Sequence, residues 1–169
     1  MRLDRRALLM GGAALAALTV ARTPTKAKDM AAADTIDFKK LTEAEWHKRL
    51  TPDQYWILRD HGTERAGSSP LDHEKRKGTF ACAGCDLPLF SSDTKFDSGT
   101  GWPSFYRPLA GAVETKSDRT FFMLRTEVHC ARCVGHLGHV FNDGPQPTGL
   151  RYCMNGLALK FEPAATGAS

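Results

Sequence analysis

Two C-x-x-C pairs, Cys82-Ala-Gly-Cys85 and Cys130-Ala-Arg-Cys133, constrain this chain more than any other feature. Two residues between thiolates let one tight turn aim both sulfurs at a single cation, and Gly84 suits such a turn. Two such knuckles complete the tetrahedral four-sulfur shell of a structural zinc site. Residues 86 to 129 lie between them, too many for a small zinc ribbon. A metal here would clip together distant parts of one sheet domain, and closing so long a loop is where a crosslink helps most. Disulfides are the alternative in an oxidising compartment, and a redox dithiol is another.

Compartment matters because the start of the chain reads as an export signal. A basic opening leads into an uncharged run from Ala7 to Ala21, followed by Arg22, Pro24 and Lys26. That run falls short of the roughly 20 residues that cross a bilayer, so residues 1–27 are expected to be a cleaved leader. Arg5-Arg6 before the apolar run makes it twin-arginine-like, the address for export of folded proteins to the periplasm. The cut could follow Ala21 or Ala27. Export after folding would let zinc load first. The net charge of the chain is +4, and Arg2, Arg5, Arg6, Arg22 and Lys26 against Asp4 account for all of it. The neutral body lacks the cationic surplus that nucleic acid or an anionic membrane requires, so neither is expected as a partner after processing.

Residues 28–37 read as a linker, 38–163 as one domain, and 164–169 as a disordered tail. Of the 169 residues, the stretch from Asp34 to His61 is helical in pattern. Thr42 stands three before Glu45, and Thr51-Pro52-Asp53 places proline at a first helical position. Trp46, Leu50, Tyr55 and Leu58 recur at helical spacing, and Gly62 supplies a stop. Beyond it, "GTFACAGC", "FFMLRTEVHC", "GHVFND" and "LRYCMNGLALKF" alternate with Gly, Pro, Asn, Asp and Ser clusters, as in an antiparallel sheet protein.

Three segments carry chemistry. In "DSGTGWPSF", Gly99 and Gly101 permit the backbone shapes that present Trp102 into a cleft, although a tryptophan closing a core reads the same way. In "GHLGHVFNDGP", His136 and His139 could bind metal, but zinc has four better ligands, which leaves them as proton donors near neutral pH. Strand alternation in "LRYCMNGLALKF" puts Arg151, Cys153 and Asn155 on one face. A nearby cation favours the nucleophilic thiolate, and a cysteine serving as a small hydrophobe is the bland alternative.

Taken together, "HGTER", "FACAGCDLPLF", "SGTGWPSF", "GHLGHVFNDGP" and "RYCMNG" resemble the methionine-R-sulfoxide reductases, in that family's order, over roughly Leu50 to Phe161. The resemblance implies a mainly β fold of two antiparallel sheets, β-tent-like, with short N-terminal helices and a structural zinc remote from the chemistry. It implies that Cys153 is the nucleophile and becomes a sulfenic acid as methionine sulfoxide is reduced. Trp102, His136, His139, Arg151 and Asn155 would surround the substrate: Trp102 against the methyl group, His139 with His136 giving the proton, Asn155 and Arg151 orienting thiolate and oxygen. Oxidised proteins or peptides are the expected substrates, and only the R epimer should fit. Many members carry a resolving cysteine where this chain has Thr100. With four cysteines on zinc, none remains to resolve Cys153, so a thioredoxin-like protein or small thiol is the expected reductant. The rival readings are a zinc-ribbon binding module without catalysis and a thiol-disulfide oxidoreductase.

Overall fold

The computed structural model describes residues 36–118 and 125–165. The expected leader, most of the linker, the start of "FFMLRTEVHC" and the end of the tail lie outside the described residues. All elements below belong to the unit Asp37–Ser169.

Two short helices open it. Helix α1 (Glu43–Arg49) and helix α2 (Pro52–Leu58) each begin on a reciprocal capping box, Thr42 with Glu45 and Thr51 with Gln54. These caps satisfy amide donors that a two-turn helix has no length to spare. The helices bury Trp46, Leu50, Ile57 and Leu58. The stop differs from expectation. The left-handed residue is His61 (φ 56°), while Gly62 is needed because a Cβ there would lie 2.5 Å from the Trp56 ring.

Among the described residues nine strands follow: β1 (Gly78–Cys82), β2 (Pro88–Ser91), β3 (Lys95–Phe96), β4 (Ser104–Phe105), β5 (Val113–Asp118), β6 (Arg125–Cys130), β7 (His136–Phe141), β8 (Arg151–Met154) and β9 (Leu159–Pro163). They form two antiparallel sheets, one in the order β2-β1-β9 and one in the order β3-β4-β8-β7-β6-β5. The fold is therefore mainly β with two short helices. Phe80 and Phe90 from the small sheet meet Phe105 of the large one, with ring centroids 5.0 and 4.3 Å apart. All three are fully buried, and such aromatic pairing adds to the area they remove from water. This contact leaves the opposite face of the large sheet free to carry polar groups.

Candidate active site

The two knuckles occupy equivalent places in the two sheets. Cys82 ends β1 and Cys85 lies in the turn to β2; Cys130 ends β6 and Cys133 lies in the turn to β7. Each turn closes identically, the amide of Asp86 donating to the Cys82 carbonyl and that of Val134 to the Cys130 carbonyl, both at 2.9 Å. The left-handed residues are Asp86 and Val134, so Gly84 is not the turn former expected of it. Its missing side chain instead admits Trp46, whose ring would lie 3.2 Å from a Cβ. Sulfur separations are 3.6 Å for Cys82 with Cys133 and 3.5 Å for Cys85 with Cys130. These exclude disulfides, at about 2.05 Å, and sit close to the edge of a tetrahedron built from zinc–sulfur bonds, about 3.8 Å. Hydrogen bonding, foremost from Cys130, holds the Cys82 and Cys85 thiols well above their ordinary range. The Cys130 and Cys133 thiols, bonded by these two, lie below theirs, and a dication is what would allow all four to ionise together. The four buried cysteines could hold a metal ion.

The fifth cysteine lies elsewhere. Strand register runs one straight row across the large sheet: Lys116 opposite Glu127, Glu127 opposite His139, His139 opposite Cys153, and Cys153 opposite Ser104. Because side chains alternate along strands, Asp118, Arg125, Phe141 and Arg151 share that face one step along. A cavity of about 150 Å³ opens there, lined by Thr63, Trp102, Arg125, Gly138, His139, Phe141, Cys153 and Asn155. A larger polar cleft of about 650 Å³ shares Thr63, Arg125 and His139 with it and reaches Asp60, His61, Lys116 and Glu127. Gly138 sets the closeness of β7 and β8, since a Cβ on it would stand 2.1 Å from the Cys153 carbonyl.

Each expected residue can now be placed. Cys153, Trp102, His139 and Asn155 line the small cavity. His139 Nε2 lies 2.9 Å from Asp118 Oδ2, to which Arg125 also donates at 2.8 Å. His136 is buried and faces Glu127, with Nδ1 2.9 Å from its carboxylate. Burial pushes the His136 pKa down against the pull of Glu127. For Glu127 burial works upward, but bonds from His136 and Lys116 outweigh it and leave the carboxyl below its ordinary range. His136 therefore lines the polar cleft and braces Glu127, and it does not line the small cavity with Cys153. Arg151 is clamped twice to Asp143, at 2.9 and 2.8 Å, and stacks over Phe141 at 4.4 Å. Asn155 lies just past β8 and is structural in its bonds: its side chain accepts from the Glu64 amide at 3.0 Å and donates to the Leu137 carbonyl at 3.1 Å.

The Cys153 thiol is pushed up, burial being the largest cause, against opposing pulls from Thr100, Arg151 and Ser104. The expectation that Arg151 lowers it is correct in sign and too small in size. The sequence reading passed over Glu64. Its carboxylate accepts from the amides of Gly156 and Leu157 at 2.6 and 2.9 Å, and its carbonyl accepts from Trp102 Nε1 at 3.2 Å. One residue of "HGTER" thus fixes both the Trp102 wall and the end of β8. It also passed over Arg125 and Glu127, although period two in "RTEV" puts both on one strand face.

The SelR domain family matches residues 50–163 of this chain. A peptide methionine sulfoxide reductase MsrB of Agrobacterium fabrum is 58% identical over 123 residues, covering 72% of this chain and 91% of its own length. Proteins of the same name from Leptospira interrogans and Methanosarcina barkeri are 56% and 55% identical over 122 and 127 residues, spanning 93% and 89% of their lengths.

Proposed function

Since the chain belongs to the SelR-domain family of methionine-R-sulfoxide reductases, we propose that it reduces the R epimer of methionine sulfoxide in oxidised proteins or peptides through Cys153. It is an enzyme, a peptide-methionine (R)-S-oxide reductase. The observation that carries the mechanism is the row that sets Cys153 between His139 and Ser104 at the floor of a cavity walled by Trp102. The thiolate sulfur attacks the sulfoxide sulfur. The sulfoxide oxygen is protonated and passes to Cys153 sulfur as the new sulfur–sulfur bond and the substrate sulfur–oxygen bond break, so methionine leaves as a thioether and Cys153 is left as sulfenic acid: one sulfur is oxidised by two electrons as the other is reduced. His139, oriented by Asp118, gives the proton that the departing oxygen needs. Trp102 offers an apolar face to the methyl group, so the two epimers cannot present methyl and oxygen alike.

Two equivalents of an external thiol, from a thioredoxin-like protein or a small thiol, return the sulfenic acid to thiol with release of water and a disulfide. The support is the cysteine count: the other four are buried at the knuckles, and Thr100 stands beside Cys153. One zinc ion per chain, held by Cys82, Cys85, Cys130 and Cys133, would supply a crosslink between the two sheets. Residues 1–27 are proposed to export the folded protein to the periplasm, tested by fractionation and N-terminal sequencing of the mature form.

Resolved epimers of a protected methionine sulfoxide test the assignment. Reduction of the R form alone is expected, and turnover of the S form alone would sink it.

A further inference from the structure

Thr100 Oγ1 lies 3.9 Å from Cys153 Sγ, at the long end of the range for sulfur. Behind it Ser98 Oγ is 2.8 Å from Thr100 Oγ1 and 2.7 Å from Ser104 Oγ. Ser104 Oγ in turn donates to the Trp102 carbonyl at 3.1 Å. Ser104 is fully buried and is the register partner of Cys153, so the three hydroxyls form an arc that leaves the sulfur and returns beside it. Resting on Cys153 as the nucleophile, we propose that Thr100, Ser98 and Ser104 form a reversible hydroxyl chain that accepts from the Cys153 thiol and donates to its thiolate.

Counting protons shows why such a chain can serve both states. With the thiol present, four protons meet four acceptors: sulfur donates to Thr100, Thr100 to Ser98, Ser98 to Ser104, and Ser104 to the Trp102 carbonyl. With the thiolate, three hydroxyl protons remain and each turns round: Ser104 donates to Ser98, Ser98 to Thr100, and Thr100 to sulfur. Each hydroxyl offers one proton and two lone pairs, so every proton finds an acceptor in both directions, and the thiolate direction gives up the Ser104 bond to the Trp102 carbonyl in exchange for one to the charged sulfur. No proton travels along the chain. Rotation alone converts an acceptor at the sulfur into a donor, and hydrogen bonds to a charged acceptor are the strong ones.

The charged or titratable groups facing Cys153 from its surroundings are Arg151 on its own strand, His139 on β7 and Arg125 across the cavity. From the loop, Thr100 presents its hydroxyl to the sulfur. Arg151 is already held by Asp143, so Thr100 is the neighbour best able to respond when the sulfur becomes charged. The burial that raises the thiol pKa makes that response necessary. On this account, Thr100 and Ser104 both act on the reacting sulfur, while Ser98, which joins them, is a positioning residue.

The test is the pH dependence of Cys153 alkylation by iodoacetamide in the zinc-loaded full chain, read by mass spectrometry of the Cys153 peptide. Thr100→Val should raise the Cys153 pKa by about one unit and slow alkylation at pH 7 about tenfold. Thr100→Ser should restore both, and Ser98→Ala should fall between. An unchanged profile in Thr100→Val, with zinc content and circular dichroism preserved, would overturn the chain; should that variant misfold, an unchanged profile in Ser98→Ala would do so. Alkylation involves no sulfoxide, so it reports on the chain separately from the nucleophile assignment. That assignment fails only if Cys153→Ser still reduces methionine sulfoxide.

Discussion

Five cysteines of one chain live under two regimes. Four are fully or almost fully buried at matching turns of two sheets, where each sulfur lies 3.5 or 3.6 Å from another. The fifth lies on an open sheet face, with an arginine, a histidine and a hydroxyl around it. Sulfur crowded by sulfur needs a cation to ionise and is then spent as a ligand. A sulfur alone among donors remains free to attack. Chemical role therefore follows from neighbours, since the side chain is the same at all five positions.

The sharpest way to break this contrast is to remove the fifth sulfur. Cys153→Ser should cut sulfoxide reduction at least about a thousandfold, with melting temperature and metal content unchanged; a variant that lost zinc as well would show the two regimes to be coupled. Cys130→Ser should do the reverse in kind. Losing a ligand from a clip that joins the two sheets should lower the melting temperature by about 10 °C or more, seen by calorimetry together with loss of zinc by atomic absorption.

The pH response separates the regimes next. Because the Cys153 thiol is held above its ordinary range, the thiolate fraction grows about tenfold per pH unit below that pKa. Its alkylation should therefore still be rising at pH 8.5, and a plateau at or below pH 7 would contradict the burial argument. The knuckle cysteines, as ligands of the proposed zinc, should resist alkylation across the same range. Trp102→Ala should lower kcat/KM about tenfold or more by removing the apolar wall, with relaxed epimer preference as its signature. Smallest is Asn155→Ala, which leaves the buried Glu64 amide unsatisfied and should cost about 1–3 kcal/mol in denaturant unfolding, with metal binding intact.

Much of this was readable in the order of residues, and the reasons differ by feature. Capping boxes at Thr42 and Thr51 are local, set within four residues, so the helices could be read directly. The knuckles were legible because C-x-x-C spacing is itself the geometry of a metal turn. The turn former was not. Asp86 and Val134 take the left-handed conformation that glycine would suit, while Gly84 and Gly135 serve instead to let Trp46 and Leu58 pack close. Alternation placed Arg151 with Cys153, but the strand ends at Met154, and Asn155 turns inward to bond Glu64 and Leu137. His136 and His139 were both expected at the substrate, His139 as the acid; β7 divides them between a buried carboxylate and the cavity.

By itself the sequence determined which side chains have chemistry to offer: four thiols paired for a metal, one left over, a tryptophan in a glycine loop, and two histidines. Those are properties of residue type and local spacing, which no tertiary contact alters. The tertiary structure decided which groups meet. The row from Lys116 through Glu127, His139 and Cys153 to Ser104 joins five strands through four registers, and register depends on long-range pairing. Thr100 shows the division most clearly. In the chain it is the absence of a second cysteine; in the fold it is the hydroxyl beside the first.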